Sequence, residues 1–144
     1  MARTNPPLAP SEDASQARSR RGRVLIVEDN PDAAEMLREL LVFHGHLAVV
    51  AGDGRDALKL ASTFAPELVF CDVGLPDIDG YALAPALRAA LAPKWMRLVA
   101  VTGYAGAEER ARAHAAGFDE HLIKPVDLVT LEEVVERCIA ARPQ

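Results

Sequence analysis

A doubly wound α/β domain, a parallel sheet with helices on both faces, is the fold the sequence predicts, on three observations. Apolar runs alternate with amphipathic ones from Arg23 to about Arg142. Three of the apolar runs are continuously apolar and rich in β-branched residues. Residues able to do chemistry stand directly after the strands rather than within the helices. Continuous runs mark strands covered on both faces, whereas strict alternation marks a sheet with one wet face. Right-handed crossovers then put helices on both sides.

Residues 1–22 (MARTNPPLAPSEDASQARSRRG) are rich in Pro, Ser, Ala and Arg and have no apolar periodicity. They are expected to be a disordered tail whose Arg18, Arg20 and Arg21, with Arg23, are solvated rather than bound to an anionic surface. The first strand is Val24–Val27. Asn30-Pro31 starts the first helix, a capping side chain before proline at the first helical position. Ala34, Leu37, Leu40, Leu41 and His44 trace its face, and Gly45 ends it. The second strand is Leu47–Val50; Ala57, Leu60, Ala61 and Phe64 stripe the next helix, which Pro66 stops. Leu68–Cys71 is the third strand, and a third helix follows Asp79-Gly80, with Pro85 inside it expected to cost a hydrogen bond and kink it. Leu98–Val101 is the fourth strand, followed by an alanine-rich helix from about Gly106 to Ala116. Leu122–Ile123 with its flanks is the fifth strand. Leu131, Val134, Val135 and Cys138 stripe a last helix, opened by Asp127 or by the capping-box pattern Thr130-x-x-Glu133.

Composition narrows the function. The chain has 144 residues, half of them hydrophobic and 26% charged, which suits one soluble domain with its own core. A net charge of −5 argues against nucleic acid as the ligand of the folded part. No apolar run has the length of a membrane span or the form of a signal peptide, so neither a membrane role nor export is expected and a cytoplasmic location is. Cys71 and Cys138, each inside an apolar segment, are expected to be reduced core residues.

Sheets of this kind bind ligands beyond the carboxyl ends of their strands. Glu28-Asp29-Asn30 follow strand one, Asp72 follows strand three, Thr102-Gly103 follow strand four and Lys124-Pro125 follow strand five, whereas strand two ends in unreactive Ala51-Gly52. Like carboxylates about 4 Å apart repel by roughly 4 kcal/mol at an effective dielectric near 20. A divalent cation relieves this, and an all-oxygen, water-accessible site suits Mg²⁺, which keeps waters and adds a phosphate oxygen readily. Lys124 supplies a second positive charge for a transferring phosphoryl group, and the Thr102 hydroxyl can hydrogen-bond it, with room left by Gly103. A carboxylate in that company is a candidate nucleophile for forming an acyl phosphate, and Asp72 is the one so placed.

The segments RVLIVEDN, LVFCDVGLPDIDGY, LVAVTGYA and HLIKPVD, taken together from Arg23 to about Arg142, resemble the receiver domains of two-component response regulators. Residues 23–142 would then form a receiver domain with a flavodoxin-like (βα)5 sheet of strand order 2-1-3-4-5. The resemblance implies that Asp72 accepts a phosphoryl group from a histidine kinase or a histidine phosphotransfer protein. It implies Mg²⁺ (or Mn²⁺) held by Asp29 with Glu28 alongside, Asp72 and the backbone carbonyl of Gly74. Thr102 and Lys124 would bind the phosphoryl oxygens, and Thr102 with His121 would form the switch. A downstream protein would read the face made by the fourth helix, fifth strand and fifth helix. The expected state is a monomer or a phosphorylation-dependent dimer. The wording around DNPDAAEMLRELL and DVGLPDIDGY is close to receivers of hybrid kinases and to stand-alone receivers.

Four positions depart from the family pattern. His121 stands where an aromatic residue is usual, and Gly74, the second residue after Asp72, has no side chain to shield an attacking water. Tyr104 is a bulky neighbour two residues after Thr102, and Pro85 interrupts the third helix. Asp77 and Asp79 are read as turn and cap acids, His44, His46 and His114 as packing or surface residues, and Trp95 as cover where the third helix returns to strand four. The fourth helix, alanine where a core helix carries leucine, is expected to pack weakly or to fit a tight groove.

Other classes fit less well. A haloacid-dehalogenase-like phosphatase needs an acid two residues after its nucleophile, where this chain has Gly74. A flavin-binding protein of the same topology needs a Ser/Thr/Gly-rich phosphate loop after strand one, where Glu28-Asp29 would repel phosphate. A pseudo-receiver would not retain Asp72, Thr102 and Lys124 together. No DNA-binding or catalytic output domain follows in the sequence, so the expectation is a signalling module rather than an enzyme.

Overall fold

The computed structural model describes residues 21–104 and 106–143. Its elements, in chain order, are β1 (Arg23–Val27), α1 (Pro31–Phe43), β2 (Leu47–Ala51), α2 (Gly54–Phe64), β3 (Leu68–Asp72), α3 (Gly80–Leu91), β4 (Arg97–Thr102), α4 (Ala107–Ala116), β5 (Glu120–Ile123) and α5 (Leu128–Ala140). The strands form one parallel sheet in the order β2-β1-β3-β4-β5. That is the predicted flavodoxin-like fold. Each predicted strand is present, lengthened by a flanking residue or two.

Strand alternation divides the core into two layers. Val24, Ile26, Leu68, Phe70, Val99, Val101 and Leu122 face α1 and α5, meeting Leu37, Leu41, Leu131, Val134 and Val135. Leu25, Val27, Val69, Cys71, Leu98 and Ala100 face the other way, onto Ala57 and Ala61 of α2, Leu83 and Leu87 of α3, and Ala113 beside Phe118. Helices cover β1, β3 and β4 on both faces and bury their apolar residues, which is why those strands read as unbroken apolar runs. Cys71 and Cys138 are buried and unbridged, as expected.

The predicted caps also hold. Asn30 accepts from the Ala33 amide with Pro31 opening α1, Asp79 accepts from the Tyr81 amide, and Asp127 rather than the Thr130 box opens α5, accepting from the Thr130 amide. Gly45, just past α1, has φ +92°, where a Cβ would be strained. Along α1, Leu40 is only half-buried and His44 is exposed. Pro85 does not divide α3, which runs through it as one element.

The expected tail falls mostly on residues 1–20, outside the described residues. Arg21 and Gly22 are tied to the domain. The Gly22 amide donates to His46 Nδ1 at 3.0 Å, the Gly22 carbonyl accepts from Leu47, and Arg21 donates to the Gly45 carbonyl. Only an unprotonated Nδ1 accepts that bond. Burial, with His44, Arg142 and Arg21 nearby, holds the His46 pKa below the ordinary imidazole value. The folded state therefore binds fewer protons than the unfolded chain as pH falls through the region just below about 6.5. His46 contributes stability that is present above this region and lost on acidification through it. His46→Gln keeps an acceptor but cannot titrate. Urea midpoints should thus fall less between pH 7 and pH 5 in the variant than in the wild type; equal falls would contradict the assignment.

Candidate functional site

Three loops meet above the carboxyl edge of the sheet. β1 and β3 are neighbours there, with Val27 paired to Cys71, so the turn after β1 lies beside the end of β3. In that turn Glu28 is 4% exposed, and its Oε2 accepts from the Asn30 amide at 3.0 Å. Asp29 points to water. Asp72 closes β3 and is 8% exposed. One oxygen each of Glu28, Asp29 and Asp72 lies within 4.8 Å of the others. At that spacing each like pair repels by about 3.5 kcal/mol at an effective dielectric of ~20, less for water-facing Asp29.

The loop behind Asp72 is held from several directions. The Gly74 amide donates to Asp72 Oδ1 at 2.9 Å. A Cβ on Gly80 would come within 2.5 Å of Val73 Cα and 3.0 Å of the Asp72 carbonyl oxygen, so glycine lets α3 start directly against the turn after Asp72. Asp77 reaches across to α2, accepting from the Gly54 and Arg55 amides at 2.8 and 3.0 Å. Those amides, Gly54 first, hold its carboxyl below the usual range. It is a cap, as expected of a turn acid, but for a helix 22 residues earlier.

Lys124 comes in from the end of β5. Its Nζ lies 2.9 Å from Asp72 Oδ2 and 3.3 Å from Glu28 Oε1. Burial favours the neutral amine, yet the hydrogen bond and charge of Asp72, with Glu28 behind, outweigh it and hold the ammonium above the ordinary lysine range. Burial also pushes the Glu28 carboxyl up, aided by the Asp72 charge and opposed by the Asn30 amide and Lys124. One ammonium against three carboxylates leaves the cluster about two charges negative. The donor set is hard oxygen with one open, wet side, which fits a small divalent cation with bound waters.

Thr102 ends β4 and is 5% exposed; its Oγ1 accepts from the Tyr104 amide at 3.2 Å, and Tyr104 itself is 69% exposed. A Cβ on Gly103 would meet nothing within 4 Å, and one on Gly74 only Asp72 Oδ1 at 3.6 Å, so both glycines leave the approach open. Asp29, Glu28, Asp72 and Lys124 therefore converge, with Thr102 beside them on the next strand. His121 does not join them. It pairs in register with Ala100, two positions back from Thr102, and is half-buried. Alternation puts both on the α4 side of the sheet, since Leu122 faces the α1/α5 layer. There His121 lines a small cleft of about 140 Å³ with Arg110, Ala113, His114 and Phe118. The wider cleft of about 790 Å³ lies between α1 and α5, away from the carboxylates.

Sequence reading missed Tyr81, whose hydroxyl donates to Glu109 Oε2, 28 residues along the chain, and whose ring lies beneath the Arg112 guanidinium. No local pattern marks a pair so far apart. Among the described residues, no helix is long and apolar enough to cross a membrane.

Known proteins are similar to this chain in sequence and fold. A family profile described as the response regulator receiver domain matches residues 24–136. An uncharacterized 14.6 kDa protein of Leptolyngbya boryana is 35% identical over 121 residues, covering 83% of this chain and 92% of that one. Sensor histidine kinase RcsC of Salmonella typhimurium is 36% identical over 112 residues, 78% of this chain but 12% of the kinase. Among solved structures, the receiver domain of sensor histidine kinase PA1611 from Pseudomonas aeruginosa, crystallised with magnesium coordinated in its active-site cleft, superposes with a TM-score of 0.75 at 27% identity over 83% of this chain and 98% of that one. With the profile spanning most of the folded residues and the relative matched nearly end to end, the chain belongs to the response regulator receiver domain family of two-component systems.

Proposed function

We propose that this receiver domain accepts a phosphoryl group on Asp72 from a phosphohistidine of a histidine kinase or phosphotransfer protein, and that the change is read by a protein partner. The observation that carries this reading is the position of Lys124, bridging Asp72 and Glu28 at 2.9 and 3.3 Å above three converging carboxylates. An ammonium, the buried Glu28 and the exposed Asp29 gathered on one strand-end carboxylate have a chemical use in phosphoryl transfer and little in stability. Residues 23–142 constitute the domain in this reading, with Arg21 and Gly22 bonded to it.

The Gly74 amide and Lys124 hold the two Asp72 oxygens in fixed directions. A lone pair of the carboxylate attacks phosphorus, the O–P bond of an acyl phosphate forms, and the P–N bond breaks. Its electron pair leaves on the donor imidazole nitrogen, which takes a proton from water. Glu28, Asp29 and Asp72, with the Gly74 carbonyl, would hold Mg²⁺ (or Mn²⁺), as the magnesium-bearing PA1611 receiver encourages. When bound, the ion neutralises charge on the phosphoryl oxygens. Lys124 then transfers its hydrogen bond from Asp72 to a phosphoryl oxygen, and the Thr102 hydroxyl donates to another. Movement of Thr102 and Lys124 reshapes the α4, β5 and α5 face, with His121 on β5 as the second switch residue. The domain acts in the cytoplasm as a monomer or a phosphorylation-dependent dimer, does not turn over substrate as an enzyme, and engages neither nucleic acid nor membrane.

Incubation with phosphoramidate, a small P–N donor, and Mg²⁺ should give a phosphoryl mass increase that hydroxylamine removes. No increase, or one that resists hydroxylamine, would contradict the reading. Lys124→Ala should slow this labelling by roughly a hundred- to a thousandfold without abolishing it, yet lose the amide shifts that beryllofluoride induces in β5 and α4 of the wild type. Wild-type shifts in the variant would show that Lys124 does not transmit the change.

A further inference from the structure

We propose that Tyr81 is a positioning residue for the switch: its hydrogen bond to Glu109 latches α4 to α3 and opposes displacement of the segment that follows Thr102. This rests on the reading of Asp72 and Thr102 given above, and on where the latch sits. Tyr81 is the second residue of α3, at the far end of the loop that leaves Asp72. Glu109 is the third residue of α4, five residues beyond Tyr104 and one turn past the segment that leaves Thr102. Asp72 and Val101 are paired in the sheet, so the two loops start side by side. The Tyr81–Glu109 bond ties them again at their other ends, closing a ring that runs from Asp72 to Tyr81, across to Glu109 and back to Thr102.

Near its start α4 has few other anchors, although Arg88 of α3 donates to the Gly117 carbonyl at its far end. Ala113 is its one buried residue, and Gly106 provides no side-chain cap at its start. Around Tyr81, by contrast, contacts accumulate. The Arg112 guanidinium lies 4.2 Å over the ring, and Phe118, 3% exposed, meets the ring edge-on at 6.4 Å. Burial, with the Glu109 carboxylate accepting its hydrogen, pushes the Tyr81 phenol up to about 12, so it remains a donor at neutral pH. Drawing Thr102 towards a phosphoryl group pulls on Gly103 and Tyr104 and, further along, on the first turn of α4, where Glu109 stands. The latch therefore works against the switch, and a partner that engages Glu109 or Arg112 would release it.

The test uses Tyr81→Phe, which keeps the ring, its contact with Phe118 and its place under Arg112, together with Glu109→Ala, which removes the acceptor, and the double variant. Amide hydrogen exchange of the unmodified proteins without metal reads the latch itself. Each single variant should speed exchange in α4 by roughly three- to tenfold, the size of one net hydrogen bond, with other helices unchanged and no further gain in the double variant. With Mg²⁺, the beryllofluoride concentration for half-maximal shifts should fall by a similar factor. Unchanged α4 exchange, a rise spread over the whole domain, or additive effects would overturn the latch. Failure of the wild type to respond to beryllofluoride, with the α4 exchange result intact, would instead overturn the phosphoacceptor reading and leave Tyr81 as an anchor of α4.

Discussion

Asp72→Asn should take up no phosphoryl group from phosphoramidate or acetyl phosphate while folding as the wild type does. The amide keeps the volume of the side chain, and its one oxygen can still accept from the Gly74 amide, which now binds Asp72 Oδ1 at 2.9 Å, while the NH2 in place of Oδ2 gives up the hydrogen bond from Lys124. What it loses is the anionic lone pair that attacks phosphorus. The stability terms nearly offset. Lys124 gives up one ion pair but keeps Glu28, and Glu28 and Asp29 are relieved of a like charge within 4.8 Å. The unfolding free energy should thus move by less than about 1 kcal/mol, while labelling falls to background. Labelling that persists in the variant would place the acceptor elsewhere, and a collapsed fold would mean that Asp72 is structural.

Asp29→Ala should weaken Mg²⁺ binding by at least about tenfold, the scale of losing a ligand or its support, without destabilising the metal-free protein. These opposite demands follow from one geometry. Asp29 faces water and makes no ion pair among those formed by the described residues, so its removal costs no native contact of that kind and relieves repulsion on Glu28 and Asp72. Linkage converts the affinity loss into stability. At a Mg²⁺ concentration ten times the wild-type Kd, the ion stabilises the wild type by about 1.4 kcal/mol and a tenfold weaker variant by about 0.4 kcal/mol. Thermal melts with and without Mg²⁺, beside amide titrations, measure both halves. Excess EDTA should abolish labelling of the wild type. Equal Mg²⁺-dependent stabilisation in variant and wild type, or full labelling in EDTA, would remove the ion from the account.

The fold was legible because its signals are local. β1, β3 and β4 are covered on both faces, so their residues are apolar without interruption, and Asn30, Asp79 and Asp127 each cap the helix that follows them within three residues. The carboxylates, Thr102 and Lys124 were legible as residues that end strands, and a parallel sheet brings strand ends to one edge. Strand order was a different matter: nothing in the residues of β2 places it outside β1, and that came from the resemblance. What escaped has its partners far along the chain. Asp77 caps α2 from the loop after β3, His46 receives the Gly22 amide at the margin of the expected tail, and Tyr81 meets Glu109 between two helices. The alanines of α4 left weak packing and a tight groove undecided; with Ala113 alone buried in that helix, weak packing describes it.

The central claim, that Asp72 is the phosphoryl acceptor, is tested most directly by locating the modification. The wild-type protein is incubated with acetyl phosphate and Mg²⁺, the acyl phosphate is trapped by borohydride reduction, and the digest is sequenced by mass spectrometry. The account predicts one reduced residue, Asp72, with Glu28 and Asp29 unmodified. Reduction at Asp29, at Glu28 or at any acid outside the cluster, with Asp72 intact, would contradict it.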